Sequence, residues 1–338
     1  MDKKRIIFII NPISGHGLKD EIPHLVHRYL DHTRYAHSII YTEYPGHAQE
    51  IAKQATDDGV DIVVAVGGDG TVNEIARAIV HTDTALAIIP CGSGNGLARH
   101  LKIPMNVKGA LKIINACEIH DLDYGKINDI PFFCTCGMGF DACVSLKFAS
   151  SGRRGPIAYI ETALSEVIKY KPETYDIEDE DGVESHRAFL ITCANASQWG
   201  NNAYIAPHAS MSDGLMDIIV VEPFTAFDVP ALATQLFAKI IDKHSRIQTF
   251  QSHKIHIHRS RPGVIHFDGD PIMTDADIIV ETVPKGIKMV VNPNKHPDRN
   301  LPSGDDTTQT SAQHSNTLSL HTPLYYLREF FRIPIKPF

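Results

Sequence analysis

Between residue 5 and about residue 116 the apolar positions switch repeatedly between two spacings. Arg5 to Ile10, His37 to Thr42, Asp61 to Val66 and Ala85 to Ile89 are short, mostly apolar runs of the kind that strands inside a covered sheet carry. Between them Leu18, Ile22, Leu25, Val26, Tyr29 and Leu30, then Ala48, Ile51, Ala52 and Ala55, then Val72, Ile75, Ala76 and Ile79 recur at helical spacing. The predicted order is βαβαβαβ. It describes a parallel sheet with helices on both faces, whose ligands gather at the carboxyl ends of the strands.

After about residue 120 the pattern changes to short strands parted by turn residues, near 118–127, 132–139, 187–195, 215–221, 253–259, 264–268, 277–283 and 287–291. This predicts a mainly antiparallel second domain. Two helical stretches, 155–170 and 225–243, interrupt it and are placed to cap or line a cleft. The expected division is 1–124 for the α/β domain, 125–294 for the β domain, 295–321 for a polar linker and 322–338 for a tail. In the tail, Thr322 and Pro323 would start a short helix with Leu324, Leu327 and Phe331 on one face. Packing on the body, an interfacial membrane contact and a partner protein are all open to it.

Composition narrows the field. The 338 residues are 43% hydrophobic, enough for two cores, and the formal net charge of −8 argues against a surface built for nucleic acid. No run of eighteen uncharged apolar residues occurs, and the N-terminal apolar run Ile6 to Ile10 is too short for a signal-peptide core. The expectation is a cytoplasmic protein, for which peripheral contact at the inner face of the membrane is one of the readings open to 322–338. Six cysteines lack CxxC spacing and read as reduced structural thiols. His253, His256 and His258 invite a zinc reading, but a strand sets His253 on the face opposite the other two, so a solvated strand is the default.

The candidate chemistry sits at the strand ends. Gly67-Gly68-Asp69-Gly70-Thr71 closes the third strand and opens a helix, where glycine lets a backbone approach a ligand and the helix N-terminus favours an anion. Gly92-Ser93-Gly94-Asn95-Gly96 repeats the arrangement after the fourth strand, and Asn11-Pro12-Ile13-Ser14-Gly15 closes the first. Three such turns on one sheet edge suit a polyphosphate. Neither GxxxxGK[ST] nor the protein-kinase motif set is present.

In this order the motifs resemble the diacylglycerol kinase catalytic domain family, which also takes in bacterial lipid kinases and sphingosine kinases. Ala206-Pro207-x-Ala209, Asp213-Gly214-Leu215-Met216-Asp217 and Phe267-Asp268-Gly269-Asp270 extend the resemblance over roughly residues 5–294. It implies an α/β nucleotide-binding domain, a β-sandwich domain and an active site in the cleft between them, with ATP and Mg²⁺ as cofactors and a lipid at a membrane surface as substrate. By that likeness Asp268 is the general base with Asp270 beside it, and Asn11, Ser14, Gly15, Thr42, Gly67, Gly68, Asp69, Gly70, Thr71, Gly92, Ser93, Gly94 and Asn95 line the nucleotide. Asp69 and Asp123 match a Mg²⁺-linked acidic network, Asp213 with the Leu215 carbonyl a structural Mg²⁺ position, and Asp141 a polar contact to the acceptor.

Two departures stand out. Gly96 replaces an Asp common in bacterial diacylglycerol kinases, as in the sphingosine kinase form of the loop, and Asp270 replaces a usual Glu. Diacylglycerol therefore leads as acceptor, with a sphingoid base or ceramide next. An NAD kinase or phosphofructokinase shares the Gly-Gly-Asp-Gly turn, and a non-catalytic nucleotide-binding regulator is the rival outside enzymes. The second glycine-rich loop and Asp268 speak against each. Taken alone, Asp268-Gly269 reads as an ordinary hairpin turn. Oligomeric state is not legible.

Overall fold

The computed structural model describes residues 3–14, 21–151, 161–162, 165–167, 169–225 and 227–295. Gly15, most of the predicted 155–170 helix and the 322–338 tail lie outside them. The chain begins β1 (Lys4–Ile10), α1 (Ile22–Tyr29), β2 (Tyr35–Tyr41), α2 (His47–Asp57), β3 (Ile62–Gly67), α3 (Asp69–Ile79), β4 (Ala85–Pro90), α4 (Gly96–His100) and α5 (Val107–Ala116). The four strands pair in parallel in the order β2-β1-β3-β4. Every residue of β3 and β4 is buried, which explains their unbroken apolar sequence. Helix α2 packs on α3 and α1 on α5.

Then follow β5 (Ile119–Ile127), β6 (Ile130–Phe132), β7 (Thr135–Gly139), α6 (Phe140–Ser150), β8 (Glu173–Asp179), β9 (Gly182–Ala188), β10 (Leu190–Ala194) and β11 (Met216–Val221). After α7 (Val229–Ala238) and a short 3-10 turn (Ile241–Lys243) come β12 (Ile247–Ser252), β13 (Lys254–Arg259), β14 (Gly263–Phe267), β15 (Asp270–Thr274) and β16 (Asp277–Val290). An antiparallel sheet of order β12-β11-β10-β7-β14-β15 faces a second layer built from β5, β6, β8, β9, β13 and β16. Cys136, Met138, Ile191, Cys193, Ile218 and Ile265 from the first layer meet Tyr175, Ile177, Ile255, Ile257 and Val280 from the second in one buried core. This is an α/β domain followed by a β-sandwich.

Strand β16 joins the two. Its end pairs with β4 at Met289 and its length with β5 and β13, so one sheet runs through both domains. The predicted strands 277–283 and 287–291 are this single strand. Pro284-Lys285-Gly286 has the composition of a turn, but β5 pairs on both sides of it and the register shifts there as a bulge. The predicted strand 132–139 is divided, with residues 133 and 134 leaving the ladder between β6 and β7. That break has a purpose in the site.

Candidate active site

The carboxyl ends of β1, β3 and β4 place the three polar loops side by side, and side chains fasten them to one another. Asn11 donates from Nδ2 to Thr71 Oγ1 (3.0 Å) and accepts the Ile13 amide (3.0 Å). Ser14 Oγ donates to the Asn11 carbonyl (3.1 Å). Asp69, in the first turn of α3, accepts the Asn95 amide (2.7 Å) and the Gly96 amide (2.6 Å) of the neighbouring loop. Asn95, left-handed at φ 52°, folds its own loop by exchanging bonds with the Gly92 amide and carbonyl. Thr42, buried at the end of β2, donates its amide to Ile10.

The glycines divide into two kinds. A Cβ on Gly68 would meet Gly92 Cα at 3.1 Å, and one on Gly94 would meet Asp69 Oδ2 at 2.6 Å, so these let the loops touch each other. Gly70 has no atom within 4 Å of where a Cβ would stand. Its open surroundings lie in the first turn of α3, where backbone amides lack helical acceptors and favour an anion. Ser93 of the neighbouring loop is exposed as well.

Asp268 follows β14 in a turn at φ 48°, a conformation that Asp tolerates. Its Oδ2 accepts the Phe133 amide and Asn73 Nδ2, both at 2.8 Å, and its Oδ1 accepts the amides of Cys134 (2.7 Å) and Thr135 (3.1 Å). The interruption between β6 and β7 frees these amides to point at one carboxylate. Burial pushes the Asp268 carboxyl above its ordinary value, while the three amides and Asn73 pull it down. Burial raises the Cys134 thiol, and the charges of the half-buried Asp268 and Asp69 raise it further. The helix that the first glycine-rich loop opens and the Asp-Gly-Asp turn are therefore in direct contact, through Asn73.

Asp270 stands on the outer side of that turn. Burial raises its carboxyl, Arg77 lowers it and Glu74 raises it, both from α3. Arg77 also lies 5.6 Å from the Phe267 ring centroid. Asn73, Glu74 and Arg77 thus share the side of α3 turned to the turn, and sequence reasoning gave none of them a role. Their spacing of one and four residues was the available signal, since it places them on one helix face.

Asp123 is buried and accepts the Gly214 amide (2.8 Å) and, at the β16 bulge, the Lys285 amide (2.7 Å). Asp213 accepts the Leu215 amide (3.1 Å). Nearby Asp217 is pushed up to about 6, chiefly by burial, with the Asp213 charge adding to the rise. Asp69 and Asp123 thus each hold backbone amides, in separate places. Among the described residues no group of three or more His, Cys, Asp or Glu side chains gathers around a point. Asp141, in the first turn of α6, is buried with His266 Nε2 at 3.0 Å and Thr192 Oγ1 at 3.2 Å, on the outer face of the β7-β10-β14 sheet. His266 and Thr192 were unforeseen, because strand pairing alone brings them under α6.

Such a glycine-loop α/β domain, fused through a shared strand to a β-sandwich whose Asp268 carboxylate bonds Asn73 of α3, fits a two-domain lipid-kinase-like enzyme. The family model for the diacylglycerol kinase catalytic domain matches residues 5–127, and that for the YegS C-terminal NAD kinase beta sandwich-like domain matches residues 134–291. Residues 5–127 are thus similar to a diacylglycerol kinase catalytic domain, and residues 134–291 to the C-terminal domain named with it. It is 28% identical over 273 residues to a diacylglycerol kinase of Staphylococcus aureus, covering 79% of this chain and 86% of that one. An uncharacterized Synechocystis protein is 28% identical over 298 residues, 83% of this chain and 69% of its own. A solved diacylglycerol kinase of Bacillus anthracis shares the fold at a TM-score of 0.66 and 20% identity, covering 87% of this chain and 99% of that one.

Proposed function

We propose that this protein is an ATP-dependent lipid kinase that phosphorylates a lipid hydroxyl, with diacylglycerol as acceptor and phosphatidic acid as product. The observation that carries the reading is the Asp268 carboxylate, desolvated and held at the cleft beside the α3 N-terminus by donors from both domains. ATP would supply the phosphoryl group and Mg²⁺ the charge neutralisation that such transfer needs. The first-turn amides of α3 and the loops of Asn11, Ser14, Thr71 and Ser93 would hold the phosphates. Gly15 and Thr42 complete the nucleotide side of the proposal.

Asp268 would accept the proton of the lipid hydroxyl, and its raised pKa makes it a stronger base than an exposed Asp. Four donors fill the acceptor positions of its two oxygens. A hydroxyl must therefore replace one of them. Asn73 is the donor that can leave, since it is a side chain and the other three are backbone amides. Asp270, balanced between Arg77 and Glu74, would tune the charge beside the base. Asp141 with His266 would meet a polar group of the acceptor.

For Mg²⁺, Asp213, Asp217 and the Leu215 carbonyl offer oxygen donors, and two nearby carboxylates favour a cation between them. Asp69 and Asp123 would act on a metal only from behind, because backbone amides already occupy them.

The test is transfer from labelled ATP with Mg²⁺ to diacylglycerol, sphingosine, ceramide and NAD in mixed micelles. Labelled phosphatidic acid supports the reading. A labelled sphingoid product would keep the mechanism and move the acceptor, in line with Gly96, where a Cβ would meet the Gln198 carbonyl at 3.3 Å. Label in NAD alone, or in none, would overturn the reading.

A further inference from the structure

The second domain carries an apolar helix without one fully buried residue. Helix α7, Val-Pro-Ala-Leu-Ala-Thr-Gln-Leu-Phe-Ala, contains no ionisable side chain, and none of its residues is buried. Helix α3 is close to it in length and buries six residues. Leu232 and Leu236 of α7 pack partly onto the apolar outer face of the sheet below. The opposite side presents Pro230, Ala231, Thr234 and Ala238 to solvent. Phe227, just before the helix, is 94% exposed, and Ile240, just after it, 40%. An uncharged helix face ending in a bare Phe is costly to leave in water and marks an interaction surface.

We propose that α7, with Phe227 and Ile240, docks flat on an anionic lipid bilayer and presents the cleft to it. This rests on the reading of the protein as a lipid kinase. Charge selects the occupant. The exposed Lys239 and Lys243 follow the helix at its C-terminal end, where an interfacial helix meets headgroup phosphates. Asp228, at the other end, is turned back onto Thr225 by bonds of 2.8 and 2.9 Å. The chain's own segment 322–338 carries Arg328, Arg332 and Lys336 against Glu329 alone, so it repeats the sign of these lysines rather than opposing it. Anionic headgroups complement the charge and the apolar face together.

The surface is also continuous with the active site. The Tyr204 amide donates to the Leu236 carbonyl of α7 (3.1 Å), and in the same loop the Asn201 amide donates to the Gly94 carbonyl of the second glycine-rich loop (3.0 Å). Trp199, 37% exposed, belongs to that loop and is a side chain suited to the headgroup layer. A bilayer that receives α7 therefore lies one short loop from the nucleotide side of the cleft. That is the distance relation an enzyme needs if its acceptor stays in the membrane.

The test is sedimentation of the full chain, without ATP, with vesicles of phosphatidylcholine alone and of phosphatidylcholine mixed with phosphatidylglycerol. Binding to the mixed vesicles is expected to exceed binding to the neutral ones. Phe227→Asp with Ala231→Glu should weaken it roughly tenfold, from one lost aromatic insertion and two repelled charges. Val183→Asp, which alters another exposed apolar residue in the β8–β9 hairpin, should change nothing. Both α7 positions are exposed, so Tm should hold, as should transfer to a short-chain, water-soluble diacylglycerol.

Equal binding by the α7 variant and the parent would overturn the proposal. So would loss of binding only on deletion of 322–338, or a change in oligomeric state caused by the α7 variant. Vesicle binding with no lipid phosphorylated would instead remove the kinase reading and leave the docking surface standing.

Discussion

Asp69 and Asp268 are two aspartates in the same chemical situation, and they are held in different ways. Burial raises the carboxyl of each, and backbone amides pull each back down. Asp69 spends both oxygens on the Asn95 and Gly96 amides, inside the first domain. Asp268 takes three amides from its own domain and a fourth bond from Asn73 across the cleft. The first arrangement has no donor that can leave without opening the loop. The second has one. On the proposed reading, a clamped carboxylate acts as a brace or as a base according to whether one of its partners is free to be replaced by substrate.

The comparison breaks most visibly at Asp268 itself. Asp268→Asn should lower kcat by roughly 10²–10⁴, the share of a general base, and leave nucleotide affinity in place. Asn tolerates the φ of 48°, but its NH₂ would face two of the N–H donors, so Tm should fall as well and is measured alongside.

The glycines give the next largest effect. Gly92→Ala would drive a Cβ into the Gly68 backbone and against Asn95 Oδ1 at 2.9 Å, costing about 1–3 kcal/mol by overpacking. Denaturant titration should show that loss together with weaker nucleotide binding. Gly70→Ala is the counterpart: with open space around it and better helix propensity, it should gain up to about 1 kcal/mol while still weakening nucleotide binding. The same sign of stability change at both positions would erase the distinction between glycines that pack and glycines that admit a ligand.

Smaller effects sharpen the two clamps. The base must be ionised, so the rate should rise with pH through the Asp268 pKa, already above the ordinary 3.8. Because the Asn73 bond lowers that pKa, Asn73→Ala should move the rising limb to higher pH. The smallest change concerns Asp217. Unfolded chains ionise near 3.8 and the folded one near 6, so this residue makes stability fall as pH rises through that window. Thermal melts across pH should show the slope, and Asp217→Asn should flatten it. A Mg²⁺ ion held between Asp213 and Asp217 would raise Tm at neutral pH, and Asp213→Asn would abolish the rise.

The first domain was legible because β3 and β4 are continuous apolar runs and α2 and α3 keep a clean helical stripe. The second was legible only where strands are buried. β9 is almost wholly exposed and reads as a polar loop, and β15, at the sheet edge, begins Asp270-Pro271. The α6 segment shows no one-sided apolar stripe, so nothing in its spacing announced a helix. In the site, the motif positions stood out as residues, but what each one touches did not. Asn95 looked like a phosphate ligand and bonds its own loop; Asn73 looked like the middle of a helix and reaches Asp268. Pairings separated by as much as 195 residues have no periodicity to read.

The most direct test is to measure kcat on diacylglycerol and the ATP Kd for Asp69→Asn and Asp268→Asn side by side. The prediction is that Asp268→Asn keeps its ATP affinity and loses turnover, whereas Asp69→Asn loosens the second glycine-rich loop and loses ATP affinity first. Normal turnover at saturating ATP in Asp268→Asn would contradict the account.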